Sequence, residues 1–164
     1  MNGFDPRRLL EALEGHGVRF VIIGGVAAVA LGSPSITLDL DVCYDRAPDN
    51  LDRLAAALEE LSATLRGAPA EVPFQRDAEA LARGDHFTFD TSAGPFDVMA
   101  LPAGSNGYQE LLANSVEVMI KGVSVRVASI DDLIRMKRAA GRPKDRIELE
   151  ILGALREEIE RRAD

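Results

Sequence analysis

Two aspartates, Asp39 and Asp41, are separated by a single residue in a segment that alternates apolar and polar residues, Ile36–Tyr44. Such alternation indicates a β-strand in which the two carboxylates share one face, about 7 Å apart, while Leu38 and Leu40 face the core. The like charges repel each other, so the pair contributes little to folding by itself. A divalent cation reverses this balance, because Mg²⁺ binds carboxylates together with substrate phosphates. The spacing therefore predicts a metal-binding face.

Two other features of the chain fit the same chemistry. Asp97 stands among apolar residues in a second predicted strand, Pro95–Leu101, and completes a set of three acids if that strand lies beside the first. Three such carboxylates can hold metal ions that stabilise the attacking and leaving oxygens of an in-line phosphoryl or nucleotidyl transfer. The pair Gly24-Gly25 separates an apolar strand, Val18–Ile23, from an alanine-rich helical segment, Val26–Leu31. Glycines there allow close backbone approach, and a helix N-terminus favours anions.

The charge of the chain is uneven. Nineteen basic and 27 acidic residues leave a net charge of −8, which argues against a broad, nonspecific grip on nucleic acid. A local basic site for a phosphorylated ligand is still predicted near the C-terminus. Its members are Arg135, Lys137, Arg138, Arg142, Lys144 and Arg146, opposed only by Asp145.

These candidates must be positioned by a mixture of helices and strands. Leucines at three- and four-residue spacings predict a long amphipathic helix over Leu51–Leu65. Ser92-Ala93-Gly94 and Lys121-Gly122 each separate two strand-like runs and predict hairpins. Gly141 and Pro143 divide two C-terminal helices. We expect one α+β (or α/β) domain over residues 1–164, with a mixed, mostly antiparallel sheet flanked by helices.

The composition of the chain also indicates its cellular location. The longest weakly polar run, Val21–Gly32, is too short to span a bilayer. No basic and apolar signal segment opens the chain, and the single cysteine, Cys43, excludes an internal disulfide framework. We therefore expect a cytoplasmic protein without membrane contact.

The whole arrangement resembles the nucleotidyltransferase fold of the DNA polymerase β superfamily. That signature is an apolar strand, a glycine pair such as Gly24-Gly25, a paired-acid strand such as Asp39-Leu40-Asp41, and a later third acid, here Asp97. Within this superfamily, the segment Gly24–Asp41 looks like that of small stand-alone bacterial members related to the toxins of nucleotidyltransferase toxin–antitoxin and abortive-infection systems. Lys137–Asp145 is similar to their basic C-terminal motif, and the resemblance extends over Val18–Leu152.

The resemblance implies a role for each candidate residue. Asp39, Asp41 and Asp97 would bind Mg²⁺ or Mn²⁺, and Asp97 would also activate the acceptor hydroxyl. The nucleotide would be held by Gly24, Gly25, Lys137, Arg142 and Lys144, with Asp145 orienting the basic side chains. The chain departs from the pattern twice: Ser35 stands where many relatives have arginine, and Gly25 where others have serine.

We therefore expect a metal-dependent nucleotidyltransferase that moves NMP from an NTP such as ATP to a macromolecule and releases pyrophosphate. The acceptor is expected to be an RNA end or a protein hydroxyl, and a toxin role would add a cognate antitoxin as partner. Two alternatives stay open: a catalytically silent nucleotide- or partner-binding module on the same fold, and an antitoxin-like regulator. Three converging acids favour the enzyme, because a binding module does not need them.

Overall fold

The computed structural model describes residues 3–69 and 74–164. The strands are β1 (Phe20–Ile23), β2 (Leu40–Tyr44), β3 (Thr64–Leu65), β4 (His86–Thr91), β5 (Gly94–Met99), β6 (Val116–Ile120) and β7 (Val123–Val127). The helices are α1 (Pro6–Gly15), α2 (Gly24–Ala30), α3 (Pro48–Glu60), α4 (Ala78–Ala82), α5 (Tyr108–Asn114), α6 (Ile130–Ala140) and α7 (Asp145–Ala163).

The described strands form one seven-stranded sheet in the order β3-β4-β5-β2-β1-β7-β6. Four of its neighbouring pairs are antiparallel, whereas β2 with β5 and β1 with β7 are parallel. The predicted α+β class with a mixed, mostly antiparallel sheet is therefore confirmed. β1 is an inner strand of this sheet, with Val21 and Ile22 fully buried, as its β-branched sequence predicts.

Local signals explain where the flanking helices begin and end. The Asp5 side chain accepts a hydrogen bond from the Arg8 amide at the start of α1, and Ser129 caps α6 in the same way. Gly141 ends α6 in the left-handed conformation, after which α7 packs back against α6. Over the described residues, no helix has the length and apolar character needed to cross a bilayer.

Two predicted boundaries were wrong. The strand expected over Ile36–Tyr44 begins only at Leu40, and Leu38 is 71% exposed instead of facing the core. The helix expected over Leu51–Leu65 ends at Glu60, and its last two residues form β3, which pairs with β4. Ser62 adopts a positive φ of 53° between the two elements, so the helix cannot continue through it.

Candidate functional site

The structure brings the three predicted acids together. Asp41 in β2 lies directly beside Asp97 in β5, in the register of the parallel pair, and Asp39 immediately precedes β2. Each of the three side chains can place a carboxylate oxygen within 4.8 Å of the other two. All three residues are half-buried, so the cluster remains reachable from solvent. Oxygen ligands at this spacing suit a hard divalent cation.

The negative charges of the three clustered carboxylates favour the binding of a cation. Burial, and then the neighbouring charges of Asp39 and Asp97, raise the pKa of Asp41 to about 8. A hydrogen bond with Asp97 raises this pKa further, whereas Lys137 acts in the opposite direction. Without a bound metal ion, the Asp41 carboxyl therefore holds its proton at neutral pH. The donor set fits Mg²⁺ or Mn²⁺, whose charge would replace that proton.

The shifted pKa predicts how stability depends on pH. The folded state holds the Asp41 proton more tightly than the unfolded chain, whose value is near 3.8. The resulting stabilisation is complete below the unfolded pKa and is lost as the pH rises through about 8. In EDTA, the melting temperature of wild type should therefore fall relative to that of Asp41→Asn between pH 5 and 9. Parallel curves from differential scanning fluorimetry would contradict this expectation.

The glycine pair is required by close contacts with the acid segment. Gly24 has a φ of +68°, and a Cβ there would lie 2.3 Å from Oδ2 of Asp41. A Cβ on Gly25 would lie 2.7 Å from Oγ1 of Thr37. The Thr37 hydroxyl therefore occupies space next to position 25, where other proteins of this pattern carry serine. The pair lets the first turn of α2 approach the carboxylates closely.

The segment between α2 and β2 is tied to both the triad and the last helix. Oγ1 of Thr37 donates to the backbone oxygen of Asp39 at 3.2 Å and to its Oδ1 at 3.4 Å. This local bonding replaces strand pairing, which explains the late start of β2. Ser35 donates its hydroxyl to the carboxylate of Glu148 in α7, at 3.3 Å. Ser35, which stands where many relatives have arginine, thus links this segment to α7 through a hydrogen bond.

The predicted basic residues do not act as one patch. Lys137 is the one whose charge acts on Asp41, and its Nζ lies 3.5 Å from Oδ1 of Asp145. Asp145 is buried and also accepts hydrogen bonds from the Arg142 amide and guanidinium. The bond from the guanidinium is the main cause that lowers the pKa of Asp145. Lys144 is exposed at the start of α7. Arg135 turns away, towards Glu110 and Asp132.

One cation at the site was missed by the sequence analysis. Nη2 of Arg66 donates to Oδ1 of Asp97 at 3.1 Å. Arg66 is therefore closer to the triad than Lys137 is, because Lys137 forms no ion pair with these acids among the described residues. Arg66 follows β3 and reaches Asp97 across β4. No local pattern marks Arg66, because 31 residues separate it from Asp97. Only the strand order brings the two together.

A cleft of about 1050 Å³ adjoins this site. Thr37 lines it and also contacts Asp39. Apolar side chains of α2 and of the end of β6 form much of its wall, including Val26, Val29 and Met119. The hydroxyl oxygen of Ser92, another lining residue, is buried without a hydrogen-bond partner among the described residues. The cleft is open to solvent, and its lining combines apolar side chains with a few polar and charged ones.

No protein-family model and no curated protein matches the sequence, but solved structures match the fold. A Thermotoga maritima protein assigned to the nucleotidyltransferases has a TM-score of 0.56 at 16% identity, over 98% of this chain and 97% of that one. The lincosamide antibiotic adenylyltransferase LnuA, solved with lincomycin, has a TM-score of 0.62 at 14% identity, over 94% and 99% of the two chains.

A third match is ANT(2″)-Ia, solved in complex with adenylyl-2″-tobramycin. Its TM-score is 0.59 at 17% identity, over 97% of each chain. At these identities the comparison concerns the fold alone. The mixed sheet, the glycine pair and the three clustered acids thus belong to a chain that has the nucleotidyltransferase fold.

Proposed function

We propose that this protein is a metal-dependent nucleotidyltransferase that moves NMP from an NTP to a hydroxyl group and releases pyrophosphate. The observation that carries this proposal is the convergence of Asp39, Asp41 and Asp97 within 4.8 Å. A fold without catalytic purpose gains nothing from three crowded carboxylates, one of which has a strongly raised pKa.

In this proposal the residues of the site have distinct roles in binding the metal, binding the nucleotide and accepting the proton. The three acids hold Mg²⁺ or Mn²⁺, which when bound neutralises phosphate charge and stabilises the oxygens of the in-line displacement. Gly24 and Gly25 present backbone to the triphosphate, and Lys137, backed by buried Asp145, supplies positive charge to it. Asp97 accepts the proton of the acceptor hydroxyl. At the same time the hydroxyl oxygen bonds to the α-phosphorus of the NTP, and pyrophosphate leaves. Arg142 and Lys144 are proposed to add phosphate contacts from the start of α7.

We place the acceptor on a macromolecule, at an RNA end or a protein hydroxyl, and the protein in the cytoplasm. The resemblance to small bacterial toxin-related nucleotidyltransferases supports this placement. A role as the toxin of a toxin–antitoxin pair, with its cognate antitoxin as partner, follows from the same resemblance. A second candidate is transfer to a small hydroxyl compound, which the cleft of about 1050 Å³ beside Thr37 favours.

Labelled nucleotides test the proposal directly. The protein is incubated with each α-³²P-NTP, Mg²⁺ or Mn²⁺, and in turn cellular RNA, protein and a panel of small hydroxyl compounds. We expect metal-dependent label on one acceptor and release of pyrophosphate. Label on none of them with every NTP and metal would contradict the enzymatic proposal and favour a silent binding module.

Lys137 provides a further prediction about nucleotide binding. Lys137→Met should weaken NTP affinity by about tenfold, because a charge-assisted contact to phosphate is lost. Isothermal titration in the presence of Mg²⁺ measures this effect. Lys144→Met is the matched variant: it removes the same charge from an exposed position and should have a smaller effect. Unchanged affinity in Lys137→Met would remove Lys137 from the nucleotide site.

A further inference from the structure

We propose that Arg66 binds a phosphate of the acceptor, so that the acceptor carries a phosphate group next to the hydroxyl that receives the nucleotide. This inference rests on the proposed function and deepens it by naming the acceptor's chemistry. Its basis is the position of Arg66 relative to the triad.

The sheet places Arg66 in a row of polar residues that ends at the triad. The Arg66 amide donates to the Thr88 backbone oxygen in β4 at 2.9 Å. Thr88 lies directly opposite Asp97, and Asp97 lies directly beside Asp41. Laterally paired residues project to the same face of a sheet. Arg66, Thr88, Asp97 and Asp41 therefore cross the sheet on one face, from the β3 edge to β2.

The two ends of this row differ in what they can bind. Gly24 approaches Asp41 from β1, on the side away from Asp97, and the charge of Lys137 acts on Asp41. These features assign the triphosphate to the Asp41 end. Arg66 contacts Asp97 from the opposite side. A group that reaches Asp97 past Arg66 is therefore the acceptor.

The contacts of Arg66 hold the guanidinium in place and leave part of it accessible. Nη2 donates to the Phe89 backbone oxygen at 2.8 Å, and Nε donates to Oδ1 of Asp90 at 3.2 Å. The side chain is still 37% exposed, and Nη1 has no acceptor among the described residues. A fixed, planar, partly open guanidinium is well suited to bind a phosphate through parallel hydrogen bonds.

This chemistry separates classes of acceptor. Nη1 of Arg66 can donate to a phosphate oxygen but not to the ammonium groups of a polycation such as tobramycin. Two sources supply a phosphate near a free hydroxyl: the 3′ end of an RNA and a small phosphorylated sugar. In either, the hydroxyl oxygen bonds to the α-phosphorus of the NTP, the bond from that phosphorus to the pyrophosphate oxygen breaks, and the hydroxyl proton passes to Asp97.

Binding measurements test Arg66 without relying on activity. Fluorescence anisotropy of a labelled hexaribonucleotide, with ribose 5-phosphate as competitor, compares wild type with Arg66→Gln. We expect at least about a tenfold loss of affinity for whichever phosphate compound binds, since a charged hydrogen-bond donor is lost. NTP affinity should be unchanged. The matched control is Arg83→Gln, because exposed Arg83 pairs with Glu79 alone among the described residues.

A second variant guards against a structural effect, because Arg66 also links β3 to β4. Arg66→Lys keeps the charge but not the paired donors, so it should lose less affinity than Arg66→Gln. The melting temperature of each variant is measured beside its affinity, to show that both are folded. The inference is overturned if wild type binds neither the oligonucleotide nor ribose 5-phosphate. Equal binding by wild type and folded Arg66 variants would also overturn it.

Transfer assays then separate this inference from the proposed function. Label on RNA or on ribose 5-phosphate supports both and identifies the source of the phosphate. Label found only on tobramycin or on protein hydroxyls overturns the role of Arg66 while the enzyme proposal stands. Label on no acceptor contradicts the enzyme proposal, and the anisotropy comparison still decides whether Arg66 binds phosphate.

Discussion

Replacing Asp41 by asparagine is expected to reduce nucleotidyl transfer by at least about a thousandfold while leaving the fold intact. Asparagine has nearly the shape of aspartate, so the close packing against Gly24 is retained. The negative charge that holds the cation is lost, and stabilisation by the metal is worth several kcal/mol, at about 1.4 kcal/mol for each tenfold in rate. Incorporation of labelled nucleotide measures the loss.

Stability measurements show whether that loss is electrostatic. Wild type should gain melting temperature on addition of Mg²⁺ or Mn²⁺, since a ligand that binds only the folded state stabilises it. Asp41→Asn should gain little, because the cluster has lost one charge. Asp52→Asn, the same change at an exposed position in α3, should behave as wild type in both assays. Full transfer activity in Asp41→Asn would exclude the triad as the metal site.

Replacing Gly24 by alanine is expected to affect both folding and activity. The φ of +68° is strained for alanine, and the new Cβ would lie 2.3 Å from Oδ2 of Asp41. Backbone strain alone costs about 1–2 kcal/mol, and displacement of the carboxylate adds to it. We expect a fall of roughly 5–10 °C in melting temperature, at about 2–4 °C per kcal/mol for a chain of this size, and loss of transfer.

A double-mutant cycle separates the two causes. In an Asp41→Ala background the carboxylate is absent, so Gly24→Ala should cost less, namely the backbone strain and the remaining 3.2 Å contact with the Cβ of residue 41. The difference between the two backgrounds is the steric contribution of the contact. Gly153→Ala is the control, because a Cβ at this position in α7 meets nothing within 4 Å and alanine favours a helix. Equal costs in both backgrounds would show that Gly24 does not pack against Asp41.

The elements next to the site could be predicted because their signals are local. The β-branched run before Gly24 indicates a buried strand, and Ser129 and Gly141 mark the ends of α6 through hydrogen bonding and backbone conformation. The spacing of Asp39 and Asp41 indicated two carboxylates on one side. These properties depend on bonds within a few residues, which a single sequence contains.

The boundary errors arose where distant contacts outweigh local preference. Ile36–Tyr44 alternates as a strand should, but the Thr37 side chain bonds to Asp39 and Ser35 to Glu148, 113 residues away. Leu65 continues the leucine spacing of α3, but β4 offers it a hydrogen-bonded edge. Glu148 and β4 are far along the chain, and the bond from Thr37 to Asp39, although local, does not show in the periodicity of the sequence.

The sequence by itself determined the residue types of the site: the acids, the glycine pair and a basic segment near the C-terminus. The tertiary structure decided which of them meet. Parallel pairing of β2 with β5 sets Asp97 beside Asp41, and the order β3-β4-β5 brings Arg66 to Asp97. The same structure turns Arg135 away from the triad, towards Glu110. Strand order and register depend on burial of the whole sheet, because apolar area summed over many residues outweighs any one local preference.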